Sequence, residues 1–285
     1  HFVILDSTAP GGFRDLVYGI GGIASNDDDP CSAPPTENAY DSVERLDGET
    51  LTWADRAPLP AGRVNHNAVI LPTGSIFVPG GMTKTSTTCA PALQSLEYYP
   101  PEIFGTTIGD QWYARDANYC PRLYHAVAVL LPDGRVALAG GKPTDCWEGG
   151  PNSRHTVEIF SPAYFFSGDR PQITDWPEPI VANITNGSTT ELSVDVTLAC
   201  DSENTISRVV LLRSSSTTHA FDMGQRYVEL EIVEVLGTYP NVTVEVLPPP
   251  DTDGFMTPPG YYLLFVIDAN GLPSVGKWVR VVNEE

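Results

Sequence analysis

Tyr124 and His125 stand side by side in this chain, and two other histidines, His66 and His219, lie in contexts of their own. An imidazole nitrogen next to a phenol oxygen is a donor pair that suits a first-row transition metal. A different reading starts from the repetition of Arg-x-x-His, at Arg63–His66 and again at Arg122–His125. A histidine that recurs with a repeat can be a structural element with a fixed hydrogen bond, and the residues alone leave both readings open. Tyr124 separates the copies, because the first copy has Asn65 before its histidine. On the repeat pattern His66 reads as structural, and His1 and His155 read as surface residues. His219 falls between strand candidates at 208–213 and 226–235, on a hairpin loop long enough to reach a neighbouring domain. The cysteines Cys31, Cys89, Cys120, Cys146 and Cys200 form no C-x-x-C pair, which speaks against zinc. They suit disulfides in an oxidising compartment, with one thiol left over or bonded elsewhere.

These residues must be positioned by strands. RVNHNAVILPTG (63–74), ending at Gly80-Gly81, aligns with RLYHAVAVLLPDG (122–134), ending at Gly140-Gly141. Each reads as strand, Pro-x-Gly turn, strand and Gly-Gly bend, and a weaker copy runs from Phe2 to Gly21-Gly22. Further strand candidates begin at Asp41, Ser95 and Thr156. A four-stranded unit of this period with a Gly-Gly signature matches a kelch-type propeller blade. Residues 1 to about 165 supply about three blades, too few to close a ring, so the remaining blades are expected from an N-terminal propeller half or fragment. Tyr98, Tyr99 and Trp112 are expected to pack between blades.

After Arg170-Pro171 the texture changes to short alternating strands, with turn signals at Ala269-Asn270-Gly271 and Thr252-Asp253-Gly254. That pattern reads as an immunoglobulin-like β-sandwich. The expected fold is therefore all-β: a partial propeller over residues 1–168 and a sandwich over 171–285, with the boundary near Gly168–Pro171.

Composition narrows the partners. The 36 acidic and 16 basic residues give a formal net charge of −20, which argues against nucleic acid or an anionic membrane surface. No apolar run approaches the roughly 18 residues needed to cross a bilayer, so no membrane insertion is expected. The sequons at Asn183, Asn186 and Asn241 point to glycosylation and a secreted, extracellular protein. The chain starts at His1 without an initiator Met or signal peptide, as a mature, proteolysed or partial chain would.

Three motifs add a resemblance that covers nearly the whole chain. RLYHAVAVLLPDGRV (122–136) resembles the blade segment in which copper-radical oxidases, the family of galactose oxidase and glyoxal oxidase, carry adjacent Tyr and His ligands. THAFDMGQR (218–226) resembles the loop that brings in their second His ligand. PPGYYLLFV (258–266) with PSVGKW (273–278) is similar to the family's last strands. The wording of the last two is closer to the glyoxal-oxidase-like branch. The resemblance implies a copper site with His125 and His219 as equatorial ligands and Tyr124 as the axial phenol that takes the substrate's hydroxyl proton. It implies a primary alcohol or aldehyde as substrate, oxidised by O2 with release of H2O2. The family's radical cofactor, a Tyr joined to a Cys, belongs to earlier blades and is expected upstream of this chain. The alternative is a non-catalytic extracellular structural or glycan-binding propeller protein.

Overall fold

The computed structural model describes residues 2–7, 14–23, 39–83, 92–141, 156–182, 191–198, 205–219, 221–249 and 257–283. In its first half the strands fall into blade-like antiparallel groups. The first is β1 (Phe2–Ser7), β2 (Arg14–Gly22), β3 (Tyr40–Asp47) and β4 (Thr52–Asp55), each paired with the next. The second contains β5 (Val64–His66), β6 (Val69–Ile70), β7 (Ile76–Val78), β8 (Gly80–Met82) and β9 (Gln94–Tyr99). It continues through a short helix α1 (Pro101–Ile108) into β10 (Gln111–Ala117). Its main sheet runs β10-β9-β7-β6, and β5 pairs with β8. The third is β11 (Ala126–Leu130), β12 (Val136–Gly140) and β13 (Val157–Phe160), in that order.

The Leu-Pro-x-Gly turns inside the two repeat copies are superposable in their bonding. Leu71 N–H donates to Ser75 O and Leu131 N–H to Arg135 O, both at 2.8 Å. Gly74 and Gly134 close them with φ of 87° and 88°, a left-handed position that glycine adopts without steric penalty.

A recurring contact holds the Gly-Gly bend within a blade and links it to the neighbouring blade. The Arg63 guanidinium donates to Gly80 O at 3.1 Å, and the Arg122 guanidinium to Gly140 O at 3.0 Å. The Gly-Gly pairs return the contact to the next blade: Gly22 N–H donates to Arg63 O, and Gly81 N–H to Arg122 O, each at 2.8 Å. Both arginines are buried. Arg122 also meets Glu158 at 2.8 Å, whereas Arg63 meets the carbonyls of Gly80 and Gln94, through its two terminal nitrogens. Burial pulls the Arg63 guanidinium down to about 10, still well above neutrality.

The second half contains β14 (Gln172–Asp175), β15 (Ile180–Ala182), β16 (Leu192–Thr197), β17 (Ile206–Arg213), β18 (Thr217–Thr218), β19 (Phe221–Asp222), β20 (Arg226–Leu230), β21 (Ile232–Thr238), β22 (Asn241–Val246), β23 (Gly260–Asp268) and β24 (Lys277–Asn283). One sheet is β14-β16-β22-β21. The other is the central run β15-β24-β23-β17-β20, and β20 then pairs in parallel with β1. The first blade-like sheet and the C-terminal sheet are thus one continuous nine-stranded, curled sheet. The sequence pattern treats the halves as separate sheets; the open edges of β1 and β20 satisfy their backbone groups on each other instead.

Strands β17 and β23 read as continuous apolar runs because both their faces are covered. Val210, Leu212, Leu263, Phe265 and Ile267 pack against Leu16, Tyr18 and Tyr98 of the blades. The alternate residues Val209, Leu211, Leu264 and Val266 face Val194, Val196, Val244 and Val246 across the sandwich. At the junction of the halves, Arg170 donates to the carbonyls of Asp133 (2.8 Å), Pro273 and Ser274, and lies 4.8 Å from the Phe165 ring centroid.

Tyr98 and Trp112 do pack between blades, whereas Tyr99 packs within its own blade against Phe104 and Tyr113. Tyr98 lies 5.7 Å from Tyr18 and 4.9 Å from Trp112, whose indole N–H donates to Ala57 O at 2.7 Å. Glu102 on α1 accepts from Tyr18, Arg45 and Arg56 of the first blade. Cys31, Cys89, Cys146, Cys200, His1, His155, Asn183, Asn186 and the 252–254 turn lie outside the described residues. Cys120 is buried, with its Sγ 3.4 Å from Glu158. Asn241 is exposed at the start of β22.

The blade contact has a direct test. A Cβ on Gly80 would sit 2.6 Å from Arg122 O at φ 71°, whereas one on Gly271 (φ 80°) meets nothing within 4 Å. Left-handed backbone costs an L-residue about 1–2 kcal/mol in either place. Denaturant unfolding should therefore give a loss of roughly 1 kcal/mol for Gly271→Ala and clearly more than 2 kcal/mol for Gly80→Ala.

Candidate metal centre

The two Arg-x-x-His copies look interchangeable in sequence, but the fold puts them in different registers. His66 pairs with Gly80, and the residue that pairs with the equivalent Gly140 is Ala126 rather than His125. Arg122 precedes its Gly-Gly pair by one residue more than Arg63 does. The extra residue is taken up in a tight turn, closed by Ala126 N–H donating to Leu123 O at 2.8 Å. His125 therefore corresponds in space to Asn65, and both are left-handed, with φ of 65° and 60°. One added residue turns a buried histidine position into alanine and throws Tyr124 and His125 out of the strand. The equivalence of His66 and His125 that sequence alignment suggests is corrected on this point.

His219 reaches the same place from the C-terminal half. It sits at the tip of the β18–β19 hairpin, again left-handed at φ 53°. The rings of Tyr124 and His125 stack with centroids 3.9 Å apart. His219 stands 4.6 Å from His125 and 5.7 Å from Tyr124. All three side chains are solvent-exposed, Tyr124 at 42%. Non-glycine residues with φ above zero are uncommon and cluster where structure over-determines them; two of the three residues here are such cases.

The hairpin has its own internal scaffold. The buried Asp222 carboxylate accepts from the backbone N–H of Ser216, Gly224 and Gln225 at 2.9–3.2 Å. Thr218 Oγ1 lies 2.8 Å from His219 Nδ1. With Nδ1–H donating to that hydroxyl, the Nε2 lone pair is presented outward, the tautomer a metal selects. Thr218 and Asp222 were visible in sequence only as neighbours of His219. An Asp followed by Gly two residues on is a turn signal that marks the scaffold.

Two imidazoles and one phenol with open access form a donor set suited to a tetragonal transition-metal ion such as Cu(II). Among the described residues no three His, Cys, Asp or Glu side chains converge, so the only such donors in this cluster are His125 and His219, beside the Tyr124 phenol. A cleft of about 300 Å³ bordered by Asp116, Asn118, Glu158 and Phe160 lies between the second and third blades, and none of the three ring residues lines it.

Residues 21–164 match the family described as Glyoxal oxidase N-terminus, and residues 170–281 match Galactose oxidase-like, Early set domain. A galactose oxidase of Gibberella zeae is 30% identical over 220 residues, covering 77% of this chain and 29% of that protein. Aldehyde oxidase GLOX1 of Arabidopsis thaliana is 30% identical over 234 residues, covering 79% of this chain and 36% of that protein. The chain thus spans about a third of the length of these relatives. Among solved structures, a fungal alcohol oxidase of the AA5 family in complex with copper matches with a TM-score of 0.69 at 23% identity. That match covers 94% of this chain and 51% of the other, and it supports the fold.

His66 supplies the contrast to the exposed trio. It is buried at 4% exposure, packed where a Cβ on Gly81 would come within 2.9 Å of it. Burial, helped by the Arg63 charge, pushes its imidazole down to about 3. The unfolded chain takes up this proton near pH 6.5, so it binds more protons than the folded chain between about 6.5 and 3. Stability is therefore complete above pH 6.5 and falls as pH drops through that window. Replacing His66 with Asn should flatten the slope by up to about 1.4 kcal/mol per pH unit between pH 6 and 4, read from denaturant melts at a series of pH values.

Proposed function

The chain belongs to the copper-radical oxidase family of galactose oxidase and glyoxal oxidase, and on that premise we propose that Tyr124, His125 and His219 hold copper in a secreted alcohol or aldehyde oxidase. The observation that carries the reading is the meeting of these three rings, contributed by a blade turn and by a C-terminal hairpin far along the chain. In this reading residues 1–168 are the last blades of a kelch-type propeller and 171–285 an immunoglobulin-like domain that delivers His219.

The donor chemistry fits the ion. Each imidazole binds as a neutral ring through one nitrogen, and the Thr218 hydroxyl fixes which nitrogen of His219 faces outward. Copper, when bound, supplies one-electron redox chemistry and a Lewis-acid site at which a phenolate is accessible near neutral pH. Tyr124 Oη accepts the hydroxyl proton of the substrate, and its exposure leaves room for a small alcohol or hydrated aldehyde beside it. The net reaction moves two electrons and two protons, one from the carbinol C–H and one from its O–H, to O2, giving an aldehyde from an alcohol or an acid from a hydrated aldehyde, and H2O2. The second one-electron group is the family's Tyr–Cys pair, supplied by the propeller blades that complete the ring. Secretion is supported by the family and by the exposed sequon at Asn241, with glycans there and at Asn183 and Asn186.

Copper stoichiometry of the full-length protein tests the ligand set. Wild type should hold one Cu(II) per molecule, His219→Ala and His125→Ala should hold none, and peroxide production from alcohols or aldehydes should vanish with the metal. His66→Asn should keep its copper. Full copper content in His219→Ala would end this reading.

A further inference from the structure

The hairpin that carries His219 is short, exposed at its tip and left-handed at the histidine, so some contact beyond its own turn must fix where it points. Among the described residues, side-chain hydrogen bonds tie the hairpin and the residues that follow it to the blades from both ends. On the β18 side, Thr217 Oγ1 lies 3.5 Å from Ala128 O of β11, the strand that begins directly after His125. On the far side, Gln225 folds its side chain onto the second blade. Its Nε2 donates to Ala68 O at 3.0 Å, and its Oε1 accepts from Ile70 N–H at 2.7 Å.

The Gln225 contact is unusual in form. Strand β6 (Val69–Ile70) is the last strand of its sheet, which runs β10-β9-β7-β6. Among the described residues no further strand is hydrogen-bonded to its outer edge, where the Ala68 carbonyl and the Ile70 N–H lie. The primary amide of Gln225 has one donor and one acceptor at the spacing of a peptide group, and it takes the place of a neighbouring strand. Ala68, Ile70 and Gln225 are all buried, so neither backbone group can turn to water instead. A buried backbone group left unmatched is costly, which makes the amide pair a stiff joint rather than a passing contact. Gln225 is also tied to the scaffold of the loop, because its own N–H donates to Asp222 Oδ1 at 3.2 Å.

Resting on the copper reading above, we infer that Gln225 is a positioning residue for His219: it registers the hairpin against the edge of the second blade, so that the imidazole meets Tyr124 and His125 of the third. The joint works through geometry and touches neither metal nor substrate. Only a side chain with both an N–H and a C=O at this length serves. Glu keeps the shape but sets a carboxylate against Ala68 O, and Ala leaves both backbone groups bare.

The test uses the full-length protein carrying Gln225→Glu and, separately, Gln225→Ala, so that a folding failure in one leaves the other. Cu(II) affinity by competition titration should fall about ten- to hundredfold, the usual cost of losing a group that orients a ligand. The Cu(II) electron paramagnetic resonance spectrum of the loaded variants should change its nitrogen hyperfine pattern. Amide hydrogen exchange across residues 214–219 of the metal-free variants should quicken, while that of β17 and β23 stays slow. A lower melting temperature with wild-type copper affinity, an unchanged spectrum and unchanged exchange at 214–219 would reduce Gln225 to a packing residue and overturn the inference. The control separates the two readings. If wild-type protein binds no copper, or His219→Ala keeps it, the metal assignment fails, and the exchange measurement alone still decides whether Gln225 fixes the hairpin.

Discussion

A buried guanidinium cannot be left without acceptors, and in this fold Arg63 and Arg122 find theirs on the Gly-Gly bends that end the inner strands. The arginine's own carbonyl is in turn the acceptor for the preceding blade's second glycine. Side chain and main chain of one residue thus bind two successive bends, and neither link can form unless both blades are in register. Glycine is required because the bend approaches the arginine backbone too closely for a Cβ and does so at positive φ. Everything nearer the ring residues inherits its placement from this joint: Tyr124 and His125 come only two and three residues after Arg122.

That proximity explains how one copy of a structural repeat comes to present an exposed cluster of rings. The joint holds Arg122 at one end and the Gly140 pairing holds Ala126 at the other, so the added residue between them has nowhere to go but outward. In the second blade the same interval is two residues long and the histidine points inward, where burial keeps it neutral. The two histidines share a sequence context and have opposite surroundings. Exposure of the donor set, against the closed packing of His66, is what distinguishes a residue available to an ion from one committed to the core.

Much of the fold was legible in the residues. The Leu-Pro-x-Gly turns and Gly-Gly bends are set by backbone demands that few residue types meet, so the strand–turn–strand hairpin of each copy followed from spelling. Strands β17 and β23 depart from the expected alternation: both carry unbroken apolar runs because each face meets a different core. The ring trio was legible as a resemblance, and its convergence depended on tertiary contacts that no local pattern encodes. The one-residue register difference was hidden, because aligning on Arg and His matches the letters while the strand pairing aligns on Gly-Gly. The Gln225 amide was hidden for a related reason: a polar side chain that stands in for a strand leaves no periodic trace. The parallel pairing of β1 with β20 joins segments more than two hundred residues apart and depends on which edges remain open after the local hairpins form.

The two-faced strands have a consequence for how the molecule comes apart. Val210, Leu212, Leu263, Phe265 and Ile267 belong to the blade core, while the residues interleaved with them belong to the sandwich core. A single run of backbone therefore has both cores as its creditors, and neither can melt without loosening the shared wall. The family matches that meet between residues 164 and 170 mark where two sequence patterns join, but the packing of β17 and β23 runs across that boundary. A truncation at that point would strip one face of the wall and present a flat, greasy sheet to its neighbours. Sequence modules and packing units part company in this chain: the former can be counted from the sequence, and the latter share the two-faced strands β17 and β23.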